Sequence, residues 1–143
     1  TGADRLSIGG ALSSNIHGRG LLLQPMVQDV ESFRIINAEG KKINVSREEN
    51  AELFGLVIGG YGLFGVITEV DLRLSPRQKL KRHVEIINLS NFAAKTSQRI
   101  NDGYLYGDLQ FKTDGAAEDF LTRGVYSFYK PVPLDSPIPQ QQK

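Results

Sequence analysis

The sequence has no cysteine and no tryptophan among its 143 residues, and only two histidines, His17 and His83. The absence of cysteine excludes disulfides, cysteine nucleophiles and thiolate metal sites. Because two imidazoles are too few for a catalytic centre of several side chains, we expect no metal site. Missing residues assign no cellular compartment, so the composition leaves the localisation open.

The sequence also lacks an excess of charge of one sign and any long apolar run. It carries 17 Lys and Arg against 16 Asp and Glu, a formal net charge of +1, so no overall field predicts nucleic acid as a partner. No apolar run approaches the roughly 20 residues of a membrane span, and the N-terminus does not resemble a signal peptide. A chain that opens on Thr1 in mid-domain sequence predicts a fragment of a longer protein.

The most informative stretch is residues 7–18, Ser-Ile-Gly-Gly-Ala-Leu-Ser-Ser-Asn-Ile-His-Gly. Gly9 and Gly10 allow the backbone to bend or to approach a ligand closely. The residues that follow supply hydrogen-bonding side chains within a short turn, namely Ser13, Ser14, Asn15 and His17. This pattern predicts a ligand site.

Locally, we expect residues 5–8 to be extended and residues 11–16 to form one or two helical turns that begin at the diglycine. Two interpretations stay open for the glycines: an ordinary strand-to-helix turn, or a helix start that faces an anionic or carbonyl-rich ligand. His17 is likewise either a structural histidine or a ligand contact.

Residues 30–58 predict a β-hairpin followed by a helix. Residues 30–37 and 42–45 alternate between apolar and polar, and residues 38–41 have turn chemistry. Ser46 and Glu49 stand at capping-box spacing, which predicts a helix over 47–58. The glutamates of its first turn are interpreted as solvated groups that complement the helix dipole rather than as acid or base catalysts.

A second glycine cluster, residues 59–65, runs directly into a strand over 66–74. Strict alternation places Val66, Thr68, Val70, Leu72 and Leu74 on one face. The glycines serve either a tight turn or a close approach of the backbone to a planar ligand. The dinucleotide fingerprint of a Rossmann fold fits poorly, because here a helix precedes the glycines and a strand follows them.

The second half of the chain predicts further strands and a helix. Residues 79–83 are interpreted as a basic, solvated link rather than a nucleic-acid patch, and strands are expected over 84–89, 104–112 and 125–129. A helix capped by Ser90 or Asn91 ends at Gly103. In the strand 104–112, the residues expected to face inward are Leu105, Leu109 and Phe111, and those expected outward are Tyr104, Tyr106, Asp108 and Gln110. The two tyrosines face either solvent or substrate.

Four features together resemble the vanillyl-alcohol-oxidase family of FAD enzymes: residues 7–18, the hairpin, Glu52-Leu53-Phe54, and the run Gly-Leu-Phe-Gly-Val-Ile-Thr-Glu at 62–69. The pattern is similar to the branch of sugar-lactone, alditol and decaprenylphosphoryl-ribose oxidases. The resemblance covers about half of the chain, residues 5–76. It implies an α+β fold, the second lobe of an FAD-binding PCMH-type domain with an antiparallel sheet flanked by helices.

That resemblance implies three regions: the second lobe over 1–76, the start of a substrate or cap domain over 77–130, and a Pro/Gln-rich tail over 131–143. The first glycine segment would contact the pyrophosphate, ribityl and flavin region, and the start of the following strand the pyrimidine edge of the flavin. The expected FAD-binding residues are Gly9, Gly10, Ser13, Ser14, Asn15, His17, Gly18, Gly62, Gly65, Val66 and Ile67. Tyr61 departs from the small or polar residue that many members carry.

The implied reaction is transfer of a hydride from a hydroxyl-bearing carbon of a sugar, polyol or lactone to flavin N5, with oxygen or another acceptor reoxidising the flavin. The expected partners are this small substrate, the acceptor and the missing N-terminal lobe. No catalytic residue is named, because the general base is expected outside this chain. Two alternatives stay open: an FAD enzyme similar to UDP-N-acetylenolpyruvylglucosamine reductase, and a non-catalytic α+β scaffold or interaction module.

Overall fold

The computed structural model describes residues 5–137. These residues divide into two compact units, the first containing residues 5–18 and 24–75 and the second residues 19–23 and 76–137. Each unit has its own antiparallel three-stranded sheet, so the predicted α+β class is confirmed. No helix within this range is long and apolar enough to cross a membrane.

The first unit contains two helices and three strands in the order β2-β1-β3. Its elements are α1 (Ile8–Ser13), a 3₁₀ turn (Met26–Asp29), β1 (Val30–Ile36), β2 (Lys42–Ser46), α2 (Ala51–Val57) and β3 (Val66–Leu72). The predicted hairpin is confirmed, with Phe33 opposite Val45 and Gly40 at a φ of 74° in the turn. Asn37 closes that turn, because its Oδ1 accepts from two main-chain N–H groups.

Both helices of this unit begin at positions other than those predicted. Helix α1 begins at Ile8, ahead of the diglycine, because Ser7 caps it and accepts a hydrogen bond from the Gly10 N–H. Helix α2 begins at Ala51 rather than 47, after Asn50 in the left-handed conformation. The expected capping box is wrong in its second half, since the Ser46 N–H donates to the main-chain oxygen of Glu49 and not to its carboxylate.

The strict alternation predicted for β3 is wrong, because the strand carries a bulge. Arg34 pairs with Glu69 and Ile35 pairs with Ile67, which leaves Thr68 as an extra residue. The bulge turns Ile67 toward the core together with Val70 and Leu72. Val66, predicted to share that inner face, is 67% exposed instead.

The core of the first unit is mainly aliphatic, with two phenylalanines at its centre. Phe33 and Phe54 stack with ring centroids 5.3 Å apart, and Leu12 brings α1 into the same cluster. Arg47 ties the loop before β1 to this core: its guanidinium lies 4.8 Å from the Phe54 ring centroid and donates to the carbonyl oxygens of Val27 and Val30. The glycine segments are therefore attached to a closely packed hydrophobic core.

The second unit is a sheet in the order β4-β6-β5 with one helix. Its elements are β4 (Lys79–Asn88), a 3₁₀ turn (Leu89–Asn91), α3 (Phe92–Asn101), β5 (Tyr106–Phe111) and β6 (Arg123–Val132). The expected link 79–83 is wrong, since these residues form the first half of β4, but Lys81 and Arg82 are exposed as expected. Strand β6 continues through Pro131, so the tail departs from the sheet later than expected; its last residues, 138–143, lie outside the described range.

The core of the second unit is aromatic, and one facing prediction fails there. Tyr104, expected to point outward, packs edge-on against Phe128 with centroids 4.9 Å apart. Phe111, expected to point inward, shares a face with the core residue Ile87 but is 41% exposed at the end of β5. The buried Tyr126 hydroxyl lies 3.1 Å from Thr96 Oγ1 on α3, and Glu85 on β4 pairs with Lys95 and Arg99 of the same helix.

Residues 19–23 extend the second sheet. The Gly107 N–H donates to the Arg19 carbonyl over 2.8 Å, and the Leu21 N–H donates to the Leu105 carbonyl over 2.9 Å. This short segment therefore lies antiparallel beside β5, with Gly20 opposite Tyr106.

Candidate functional site

The two glycine segments, far apart in the chain, meet at one end of the first unit. The Gly59 N–H donates to the Leu12 carbonyl and the Tyr61 N–H donates to the Ser13 carbonyl, each over 2.9 Å. Gly9 lies against β3, where a Cβ on it would stand 3.5 Å from the Ile67 carbonyl oxygen. The end of α1, the loop 59–65 and the start of β3 thus form one continuous surface.

Within the first segment, part of the polar capacity is used by α1 itself. Ser14 Oγ donates to the Gly10 carbonyl oxygen over 2.9 Å, so its proton is not available to a ligand. Asn15 adopts a φ of 45° just past the helix, and its side chain is exposed. His17 is also exposed, with Nδ1 3.3 Å from the Gly18 carbonyl oxygen. Asn15 and His17 are therefore exposed polar side chains of this segment that can reach a ligand.

The second segment winds through the left-handed region. Gly59, Tyr61, Gly62 and Gly65 have φ angles of 78°, 50°, 81° and 138°. Gly65 cannot be replaced without strain, because a Cβ there would stand 2.7 Å from the Ile36 carbonyl oxygen. The glycines accordingly hold a backbone shape that side chains would not allow.

A groove of about 360 Å³ runs between this loop and the hairpin turn. Gly62, Gly65 and Val66 line it together with Ile36 and residues 37–39. Leu63 is 84% exposed and Val66 67% exposed, so the surface offers apolar side chains beside bare main chain. Such a surface fits a flat, largely apolar ring with polar edges, and the residues present are therefore compatible with a flavin.

The structure brings together most of the predicted site residues but not all of them. Gly9, Ser13 and Asn15 lie beside the second segment or β3, and Ile67 is half-buried behind Gly9. No hydrogen bond within residues 5–137 joins His17 or Gly18 to the second segment. Sequence reasoning missed the hairpin turn as part of the groove, because its polar residues are ordinary turn formers.

The ion pair at Glu69 lies on the sheet of this unit, while Glu39 is a charged residue that lines the groove beside the glycines. Lys42 Nζ lies 2.7 Å from Glu69 Oε1, and Arg34 pairs with the other oxygen of that carboxylate. The hydrogen bond from Lys42, supported by Arg34, lowers the pKa of Glu69 despite some desolvation. Among the residues that the structure describes, no group of three or more His, Asp and Glu residues is placed to hold a metal. Recognition at the glycine surface therefore depends mainly on main-chain groups and apolar contact.

Comparison with known proteins points to dehydrogenases. The chain is 32% identical over 83 residues to cytokinin dehydrogenase 4 of Oryza sativa subsp. japonica, covering 57% of this chain and 16% of that protein. It is 31% identical over 107 residues to cytokinin dehydrogenase 5 of Arabidopsis thaliana, covering 74% and 20%. It is 37% identical over 82 residues to the mitochondrial L-galactono-1,4-lactone dehydrogenase of Arabidopsis thaliana, covering 57% and 13%. These relatives are oxidoreductases.

The match is partial on both sides. No family model matches the chain. The aligned region spans between 13% and 20% of the length of these three relatives. The similarity therefore concerns one segment of larger enzymes.

Proposed function

We propose that this chain is the second half of an FAD-binding domain of the PCMH type, followed by the start of a substrate domain, in an FAD-dependent oxidoreductase. The observation that carries the proposal is the meeting of the two glycine segments, through the Gly59–Leu12 and Tyr61–Ser13 hydrogen bonds. Glycines that make only turns would not need to assemble on one surface beside a groove. The dehydrogenase relatives support the same class of chemistry.

In this proposal the cofactor is held mainly by main chain. Gly9, Gly10 and the residues up to Gly18 would border the pyrophosphate and ribityl portion, with Asn15 and His17 supplying side-chain hydrogen bonds. Gly62, Gly65, Val66 and the Ile67 backbone would border the flavin edge. When bound, the flavin supplies a hydride acceptor for oxidation of the substrate. The chain's own contribution is to bind and orient the ring and to keep water from one side of it.

The substrate class we propose is a hydroxyl-bearing sugar, polyol or lactone. One relative is a lactone dehydrogenase, which supports the lactone part of this class, while the cytokinin dehydrogenases are named for a different substrate. The proposed partners are this substrate, an electron acceptor and an N-terminal lobe that completes the cofactor site.

The test is the visible absorption spectrum of the full-length protein, after reconstitution with FAD and desalting, in three forms. Val66→Glu places a charge in the groove, and the 67% exposure of Val66 allows the fold to tolerate it. Leu74→Glu is the matched control, since Leu74 is 82% exposed just beyond β3. We expect the wild type and Leu74→Glu to retain flavin bands, and Val66→Glu to bind FAD at least about tenfold more weakly.

A colourless wild type that does not respond to FAD would overturn the proposal and favour the scaffold alternative. If Val66→Glu retains as much FAD as the wild type, the groove is not part of the cofactor site. If the bound flavin is reduced by a nicotinamide and not by polyols or lactones, the enzyme is of the enolpyruvyl-sugar reductase type.

A further inference from the structure

The second unit carries a polar cluster that the flavin proposal does not use. It lies on the face of the β4-β6-β5 sheet that is turned away from α3, here called the far face. In an antiparallel sheet, residues directly opposite each other share a face. Register therefore places these residues together on the far face: Arg82, Tyr129 and Tyr106; Val84, Ser127 and Asp108; Ile86, Val125 and Gln110.

Arg82 is held in place on this face but its charge is not neutralised. Its Nη2 donates to Ser127 Oγ over 2.9 Å, and Ser127 is only 1% exposed. No carboxylate within residues 5–137 forms an ion pair with Arg82. A guanidinium fixed at one nitrogen keeps its other N–H groups for a ligand.

A second arginine lies beside the same residues. Arg19 Nη1 lies 3.1 Å from Asp108 Oδ1 and 3.5 Å from the Tyr129 hydroxyl. Arg19 and Asp108 compensate each other, so Arg82 is the cation of this cluster whose charge no carboxylate balances. Lys81 and His83, the neighbours of Arg82 on β4, are on the opposite face by alternation.

The remainder of the face is suited to a carbon skeleton rather than to a polymer. Val84 is 53% exposed and Ile86 62% exposed. A groove of about 410 Å³ begins at Ile86, Val125 and Gln110, a volume typical of small-molecule sites. At its other end Asp119 pairs with both Lys112 and Arg123. The face therefore has two excess positive charges, which are too few for a nucleic-acid backbone that requires several basic contacts.

We propose that the far face binds the oxyanion group of a small hydroxylated molecule through Arg82, with Ser127 and Tyr129 as positioning residues. A carboxylate and a phosphate both match the paired N–H groups of a guanidinium. The assignment of this molecule as the enzyme's substrate rests on the proposed function, whereas the anion site itself does not.

The test is a titration of the ¹⁵N-labelled 143-residue chain, followed by amide chemical shifts at constant ionic strength. The probes are potassium gluconate, inorganic phosphate and the neutral polyol sorbitol. We expect saturable shifts at residues 82, 127 and 129 with gluconate or phosphate, and at least about tenfold weaker binding of sorbitol. Saturation by gluconate alone indicates a carboxylate ligand, and saturation by phosphate alone indicates a phosphate ligand; either supports the oxyanion site.

Two variants and a matched control locate the site. Arg82→Gln is expected to weaken anion binding at least about tenfold, and Tyr129→Phe, which keeps the ring, about threefold. Lys81→Gln removes the same charge one residue away on the other face and is expected to leave the affinity within about twofold. If Arg82→Gln loses its dispersed spectrum, the Tyr129→Phe result decides.

Sorbitol binding equal to gluconate, or the same affinity in Arg82→Gln and Lys81→Gln, would overturn the proposal. Because no flavin is needed in this titration, its failure leaves the flavin proposal standing. A flavin-free full-length protein, in turn, would leave the anion site in place without its assignment to a redox substrate.

Discussion

The first unit presents main-chain groups through glycine-rich segments, whereas the second presents charged and aromatic side chains from its strands. In the first, the carbonyls of Leu12 and Ser13 and the N–H groups of Gly59 and Tyr61 join the two segments. In the second, Arg82, Ser127 and Tyr129 come from two paired strands. Substitutions that change the backbone conformation should therefore have the larger effect in the first unit, and substitutions that remove a single functional group the larger effect in the second.

The largest expected effect is at Gly65. We expect Gly65→Ala to destabilise the first unit by about 3 kcal/mol, because it combines a φ of 138° with a Cβ placed 2.7 Å from the Ile36 carbonyl oxygen. Gly62→Ala is the control, since Gly62 also has a positive φ but nothing within 4 Å of its Cβ position, and should cost about 1 kcal/mol. Urea unfolding monitored by NMR signals of β1 measures both. Equal losses would mean that close approach does not matter at Gly65.

The next effect tests a single group in the second unit. Tyr126→Phe removes the hydroxyl that lies 3.1 Å from Thr96 Oγ1 in a fully buried position. We expect a loss of about 1 kcal/mol in the free energy of unfolding, measured by urea denaturation. Tyr106→Phe, at a half-buried position, is the comparison and should change stability by less than about 0.5 kcal/mol. If Tyr106→Phe lowers the stability more than Tyr126→Phe, the Thr96 hydroxyl has found another hydrogen-bond partner in the Tyr126→Phe variant.

Lowering the pH should destabilise the second unit through protonation of Glu85. Burial alone would raise the pKa of this carboxyl, but hydrogen bonds from Lys95 and Arg99 outweigh it and lower the pKa. A lowered pKa in the folded state adds stability above the ordinary glutamate pKa, and this is lost as the pH falls through the lowered value. We expect Glu85→Gln to remove that pH dependence and about 1 kcal/mol of stability at neutral pH.

The comparison for Glu85 is Glu69 in the first unit. Its pKa is also lowered, by Lys42 and Arg34, but its side chain is 45% exposed against 25% for Glu85. Because water screens the exposed pair, Glu69→Gln should leave the acid transition of the first unit close to that of the wild type. Unfolding curves at a series of pH values, followed by NMR signals from each unit, separate the two. A larger shift for Glu69→Gln would contradict this ranking.

The smallest expected effect has the opposite sign. Gly55 lies within α2, and a Cβ there meets nothing within 4 Å. Gly55→Ala should therefore stabilise the first unit by about 0.5 kcal/mol, through the lower conformational entropy of the unfolded chain. The same urea measurement applies. Destabilisation would show that the small size of this glycine is needed for close packing.

The hairpin and the α+β class were predictable because alternation and turn chemistry are local signals, as at Phe33, Ile35 and Gly40. The start of α2 was not, since nothing in the sequence indicates that Asn50 adopts the left-handed conformation. Tyr104 was placed on the wrong side because it lies before β5, where the alternation of the strand does not apply, and packs against Phe128.

The candidate site was predictable in part. Glycine clusters are visible as motifs, and the resemblance implied that the segments 7–18 and 59–65 border one cofactor. The hydrogen bond through which they meet, between Gly59 and Leu12, is a tertiary contact that no local pattern predicts. The far face was predictable only on β5, where Tyr106, Asp108 and Gln110 were expected outward. Strand pairing, which the sequence does not show, brings residues of β4 and β6 beside them. Arg19 reaches Asp108 only because residues 19–21 lie beside β5.

The bulge at Thr68 has an evolutionary consequence. It reverses the parity of β3, so that odd and even positions exchange sides at this point, with Ile67 inward and Val66 outward. β1 carries a second irregularity between Val30 and Ser32, opposite the other end of β3. Deletion of Thr68 alone would restore regular pairing and leave Ile67 inward and Val66 outward, whereas a β3 that kept its length but lost the bulge would turn Val66 into the core and Ile67 out. Related sequences without the bulge should therefore either lack a residue at position 68 or exchange the apolar character of positions 66 and 67.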